Sequence, residues 1–162
     1  MKKEIQLNLT NIQHIVENVV DTLQIVSNKK KKSKKAEMYL YCGGGYDTES
    51  TTILNADGKP LFAFVYHVQI MINGYYIFAR DLDLIVPFFQ SLIAYIKSWY
   101  ENARLIIWVA NLAHEWAFAK RQFADIGITE IFAKTERNPL KITLDNCIEF
   151  RECIGLFGRS LS

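Results

Sequence analysis

The sequence predicts one α/β domain built on a mixed sheet, and three observations carry that reading. β-Branched and aromatic runs follow one another between Met38 and Ala79. A strand-length apolar run, Arg104 to Ala110, lies between two segments of helical character. Turn chemistry separates these pieces, most clearly at Asn73-Gly74. The order of strands, helix, strand, helix and further short strands fits a mixed β-sheet flanked by helices. With 162 residues, half of them apolar and 22% charged, the chain can bury a core and lacks the composition of a disordered segment.

From Thr10 to Val26 the residues Ile12, Ile15, Val16, Val19, Leu23 and Val26 recur at steps of three and four. Thr10 or Asn11 stands where a cap is needed, so the spacing predicts a helix here. Six lysines follow between Lys29 and Lys35, broken only by Ser33. Like charges at that density repel and stay solvated, so residues 29–37 read as a linker. Residues 1–28 then read as an N-terminal helical extension outside the sheet, and 38–162 as the sheet domain. Met38 to Cys42 is β-rich, and Gly43-Gly44-Gly45 leads into a second run from Tyr46 to Ile53. The glycines lack the spacing of a dinucleotide loop and suit a flexible or closely approached strand start. Asn55-Ala56-Asp57-Gly58-Lys59-Pro60 has turn chemistry. Leu61 to Met71 and Tyr75 to Ala79 are the arms of a hairpin about Asn73-Gly74. Asp81 or Asp83 can cap a helix running to about Tyr100, with Pro87 in its first turns. Leu112 to Asp125 is the next helix, ended by Gly127. Short strands are expected near Glu130 to Ala133, Lys141 to Leu144 and Ile148 to Cys153.

Composition removes several classes of function. The formal charge of +2 becomes −4 once the lysine run is set aside, so a mildly acidic body carries one concentrated basic segment. That is not the profile of a protein coating nucleic acid over its whole surface, though the run could touch phosphates locally. No apolar stretch is long enough to span a membrane, and the first residues lack a signal-peptide core. The three cysteines, Cys42, Cys147 and Cys153, have neither disulfide-framework nor zinc spacing. A cytoplasmic location is the expectation. G-x-S-x-G, Walker and His-x-x-x-His patterns are all lacking, which removes the corresponding hydrolase, nucleoside-triphosphatase and zinc-protease readings.

Two places remain. Asp47 and Glu49 are two apart, so on a strand they share one face. Two anions side by side repel unless a cation joins them, and a hard ion such as Mg²⁺ or Mn²⁺ is the natural one. The plainer reading is a pair of solvated acids. The second place follows the apolar strand: Asn111, His114, Glu115, Trp116 and Phe118 open a helix at a strand end, where α/β sheets bind ligands. A carboxylate beside hydrogen-bonding and stacking groups suits single-stranded nucleic acid held near a metal. The plainer reading makes Asn111 a cap, Glu115 a first-turn partner of the helix dipole, and the aromatics core.

Together these segments resemble a known family. Gly44-Gly45-Tyr46-Asp47-Thr48-Glu49-Ser50-Thr51 resembles the first exonuclease motif of the protein-primed family B DNA polymerases of phages, linear plasmids and mitochondrial elements. Val109 to Phe118 is similar to their second motif, N-L-x-aromatic-D/E-x-x-F. Phe64 to Arg80 resembles the hairpin between the motifs, and Ile148 to Cys153 through Ser160-Leu161 the later strand-and-loop segment. The resemblance covers about residues 37–162. It implies a ribonuclease H-like 3′–5′ proofreading exonuclease, in which four carboxylates hold two divalent ions, Mg²⁺ or Mn²⁺. Asp47, Glu49 and Glu115 would be metal ligands and catalytic residues. Ser50, Asn111, His114 and Phe118 would lie along the single-stranded 3′ end.

The sequence also departs from the family. Glu115 stands where many members have Asp, His114 replaces an aromatic Phe or Tyr, and Ala110 takes a place often held by His. The third motif, Tyr-x-x-x-Asp, would come some tens of residues past Ser162, and the polymerase palm is absent. The resemblance therefore implies a C-terminally truncated domain with an incomplete two-ion site. It would be the N-terminal fragment or split subunit of a phage- or mobile-element polymerase, with the polymerase remainder and a terminal priming protein as partners. Two other classes compete: a non-catalytic DNA-binding or assembly module of a split polymerase, and an unrelated ribonuclease H-like nuclease.

Overall fold

A computed structural model describes residues 3–28, 38–41 and 43–154. Among them ten strands join in one mixed sheet, and three α-helices pack on it. The strands are β1 (Lys3–Gln6), β2 (Gln24–Asn28), β3 (Met38–Tyr41), β4 (Gly45–Leu54), β5 (Pro60–Ile72), β6 (Tyr75–Ala79), β7 (Ala103–Val109), β8 (Ile128–Thr135), β9 (Asn138–Leu144) and β10 (Ile148–Glu152). The helices are α1 (Ile12–Val20), α2 (Ile85–Trp99) and α3 (Leu112–Ile126). No helix among the described residues is long and apolar enough to cross a membrane.

The main path across the sheet is β1-β6-β5-β4-β7-β10-β9-β8. β4, β5 and β6 form an antiparallel meander, with Asn73 and Gly74 both at positive φ in the β5–β6 turn. That is the backbone an Asn-Gly hairpin turn requires. β7 runs parallel to β4 on one side and to β10 on the other, and α2 and α3 are the connections that parallel pairing needs. β3 and β4 lie end to end along one edge of β7, β3 on its first half and β4 on its last two residues. At the junction a Cβ on Gly45 would stand 3.3 Å from the Trp108 carbonyl oxygen, so the glycine permits the close approach of β4 to β7.

Alternation along the strands divides the sheet into two unlike faces. Tyr46, Val68, Ile70, Ile77, Leu105, Ile107 and Phe150 point to one side and meet Phe88, Phe89, Trp116 and Phe123 of the helices. Phe150 is the hub, stacked on Phe123 at 4.8 Å and edge-on to Phe89 and Tyr46 at 5.4 Å. The other face carries Asp47, Glu49, His67, Gln69, Phe78 and Trp108, and no described helix covers it.

The expected N-terminal helical extension needs correcting. β1 pairs parallel with β6, and Leu7, Ile15, Val16 and Val19 belong to the single core, with α1 against α2. Residues 3–28 are thus woven into the sheet domain, because an apolar stripe of this size finds its cover there rather than in solvent. The helix also stops at Val20. The β-branched stretch from Gln24 finds a ladder with β3 and becomes β2. The lysine run, Cys42 and the Ser160-Leu161 segment lie outside the described residues.

Candidate functional site

β4 brings the first acidic pair. Asp47 and Glu49 project from the uncovered face and are exposed, while Thr48 between them points to the helix side and is buried. β4 leaves β7 after Tyr46, so the edge of Thr48 away from β5 has no neighbouring strand among the described residues. The start of α3 fills that place. Asn111 caps the helix, its side chain accepting from the His114 N–H at 3.2 Å. Glu152 at the end of β10 reinforces the cap by accepting from the Leu112 N–H at 2.7 Å. The helix is thereby fixed so that Glu115, in its first turn, reaches β4.

Glu115 accepts from the Thr48 hydroxyl at 2.6 Å and from the Thr48 backbone N–H at 3.4 Å. It is only 2% exposed and makes no ion pair among the described residues. Burial pushes its carboxyl up to about 7; the Thr48 hydroxyl opposes that rise, and the Asp47 charge adds to it. Tyr46 lies in the same interior. Burial, and then the charges of Glu115 and Asp47, push its phenol well above the usual value, and its hydroxyl makes no hydrogen bond among the described residues. An uncompensated buried carboxylate, a second carboxylate felt across the strand and an orphaned hydroxyl therefore share one small region.

The other buried carboxylate shows what compensation looks like. Glu149 on β10 takes hydrogen bonds from Arg151 Nε at 2.9 Å and from its second nitrogen, with Arg104 3.8 Å away. Both arginines neutralise it. Nothing described does so for Glu115.

Of the expected ligands, Asp47 and Glu49 share the uncovered face, whereas Glu115 binds Thr48 on the helix side and feels the Asp47 charge only as a smaller contribution to its raised carboxyl; Glu49 is held elsewhere. Tyr66 Oη donates to Glu49 at 2.8 Å and Gln69 Nε2 at 3.1 Å. The cause is a bulge: the β4–β5 register slips by one between Glu49 and Ser50, and Tyr66 is the extra residue, re-aimed onto the Glu49 face. Among the described residues no three His, Cys, Asp or Glu side chains gather closely enough to hold an ion as they stand.

The residues expected along a nucleic-acid strand divide similarly. Asn111 is spent on capping, as the plainer reading had it. His114 and Phe118 meet edge to face at 5.0 Å, both half-buried, and Ser50 is half-buried on β4. Trp116 is core, 6.4 Å from Phe123. A groove of about 700 Å³ opens on the uncovered face, with Asp47, His67, Gln69, Trp108, Ala110 and Cys153 in its lining. Sequence reasoning missed Thr48, Tyr66, Gln69 and Glu152. Thr48 had a signal, since its alternation between Asp47 and Glu49 sets it toward the helices. The other three depend on strand register, which no local pattern announces. Comparison of the chain with protein-family models, with curated proteins and with solved structures finds no match in any of the three.

Proposed function

We propose that the domain is a ribonuclease H-like 3′–5′ exonuclease region of a protein-primed family B type DNA polymerase, acting on single-stranded 3′ ends. The observation that carries the reading is the Asp47–Glu115 pair. Glu115 is buried with no described cation beside it, and it binds Thr48, the β4 neighbour of Asp47; the Asp47 charge, projecting from the other face, adds to the rise of its carboxyl. Unpaired buried charge is costly, and proteins keep it where a function uses it.

The strand arrangement supports the same reading. In a ribonuclease H-like fold the second strand runs antiparallel to the central first strand and the third antiparallel to the second, with the fourth and fifth parallel to the first on its other side. The order β6-β5-β4-β7-β10, with these directions, agrees with that plan, and the acidic residues lie on its central strand and just after its fourth.

The donor chemistry fits Mg²⁺ or Mn²⁺: all-oxygen ligands and a mutual repulsion that a divalent ion relieves. Asp47 and Glu115 would hold the ion, which would supply neutralising charge and a water made acidic enough to attack a phosphodiester. The chain's own residues do the rest. Thr48 keeps the Glu115 carboxylate aimed at β4. Tyr66 and Gln69 hold Glu49 beside the groove. Trp108 and His67 give that groove flat walls against which bases can lie, with Asp47 at its margin. His114 and Phe118 offer a second half-exposed surface on α3.

A non-catalytic, DNA-binding assembly module is the second reading, and the diversion of Glu49 to Tyr66 and Gln69 favours it. A single-stranded oligonucleotide, labelled at its 5′ end and incubated with Mn²⁺ or with EDTA, separates the two. The exonuclease reading expects slow, metal-dependent shortening from the 3′ end that Asp47→Ala abolishes. Binding without shortening supports the assembly module. Shortening that neither Asp47→Ala nor Glu115→Gln reduces overturns the site.

A further inference from the structure

Beyond the ends of β7 and β6, β4 and β5 continue as a two-stranded ribbon. Ser50 to Leu54 pairs with Pro60 to Val65, and neither segment has another strand beside it among the described residues. The tip is a tight turn: Asn55 N–H donates to the Lys59 carbonyl at 2.8 Å, and Gly58 takes φ of 75°. A bare two-stranded ribbon is marginal in water. This one also exposes Ile53, Leu54, Leu61, Phe62, Phe64 and Tyr66, with Leu61 at 63% and Phe62 at 54%. Phe62 and Phe64 lie on one face with ring centroids 6.1 Å apart.

We infer that this ribbon is a self-association surface: a second copy of the chain pairs antiparallel along the outer edge of β5 and covers Phe62, Phe64 and Tyr66 across a two-fold axis. Charge excludes a polyanion as the occupant, because residues 50–66 contain only Asp57 and Lys59, both at the tip. The same lack of charge leaves Leu61 to Tyr66 without the edge residues that normally block strand pairing. Self-pairing suits the β5 edge better than the β4 edge. With Phe64 opposite its own mate, Phe62 of each copy faces Tyr66 of the other, giving a row of aromatic cross-strand pairs. Pairing along β4 would centre on Thr51 and Thr52 and set Glu49 against Leu54. Phe62, Phe64 and Tyr66 together expose on the order of 350 Å², the size of a weak contact, so the dimer should depend on concentration. An isologous contact of this kind closes at two copies and does not propagate.

Sedimentation velocity on the full chain over a concentration series tests this. The wild type should sediment as a dimer as concentration rises, and Phe62→Ser with Phe64→Ser as a monomer with unchanged circular dichroism. Phe64→Cys provides a second measurement that does not depend on that variant folding. Opposed residues of antiparallel strands have Cα atoms about 4.5–5.5 Å apart, within disulfide reach, so mild oxidation should cross-link Phe64→Cys into dimers and leave Lys59→Cys largely monomeric. A wild type that stays monomeric across the series, or Phe64→Cys cross-linking no faster than Lys59→Cys, overturns the proposal. Neither variant touches Asp47 or Glu115, so the outcome is independent of the nuclease reading.

Discussion

The Thr48 hydroxyl donates to the Glu115 carboxylate at 2.6 Å, joining the middle of β4 to the first turn of α3 across 67 positions of sequence. Thr48 is set by its place on the central strand, and Glu115 by the Asn111 and Glu152 caps of its helix. The two elements meet where β4 has lost β7 as a neighbour, so the bond closes a gap in the sheet with a carboxylate.

Glu115 makes the domain sensitive to pH, with a definite sign. Its folded carboxyl sits near 7, above the ordinary 4.5, so the unfolded chain loses this proton first as pH rises. Stability should therefore fall between about pH 4.5 and 7 and level off above. At pH 8 the penalty is on the order of 3 kcal/mol. Glu115→Gln removes it, and should raise the melting temperature at pH 8 by roughly 5–10 °C with little change at pH 4. An equal shift at both pH values would show that this carboxyl is not perturbed.

Thr48→Val keeps the shape and deletes the donor. The Glu115 carboxyl should then titrate higher still, and stability at pH 8 should drop by about 1–3 kcal/mol. Carbon-13 NMR of the side-chain carboxyl reads the first effect and denaturant unfolding the second. A titration unmoved by Thr48→Val would mean that the hydroxyl does not serve Glu115.

Glu149 should respond in the opposite direction from Glu115. Because it is buried between Arg104 and Arg151, Glu149→Gln leaves guanidinium charge less compensated and should destabilise by roughly 1–3 kcal/mol at pH 8. Thermal melts of Glu115→Gln and Glu149→Gln side by side should move apart. Shifts of the same sign would remove the distinction drawn between the two sites.

Much of this fold was legible because its signals are local. Asn73-Gly74 fixes the β5–β6 turn by backbone sterics, Gly127 at φ of 118° ends α3, and the continuous apolar run of Arg104 to Ala110 marks a buried strand. The N-terminal segment was misread because two long-range ladders decide it. Nothing near Lys3 announces Tyr75 as its partner, and nothing near Gln24 announces Tyr41. The site divides along the same line. Asp47 and Glu49 share a face by strand alternation alone. That Glu49 is held by Tyr66 follows from a bulge seventeen residues away, and that Glu115 is buried follows from the end of β7.

Trypsin cleavage within Lys29 to Lys35 tests the corrected N-terminus. Since β1 is paired with β6 and α1 supplies Ile15, Val16 and Val19 to the core, the two fragments should stay together on size exclusion and part only in denaturant. A folded remainder that elutes free of the N-terminal fragment would restore the detached extension.

Mn²⁺ uptake at pH 8, followed by electron paramagnetic resonance, tests most directly whether Asp47 and Glu115 together make a cation site. The account expects the wild type to take up Mn²⁺, and Asp47→Asn and Glu115→Gln each to weaken uptake by about tenfold or more while remaining folded. Uptake should also fade below about pH 7 as the Glu115 carboxyl gains its proton. Uptake of equal strength in the wild type and both variants, or none in the wild type at millimolar Mn²⁺, would contradict it.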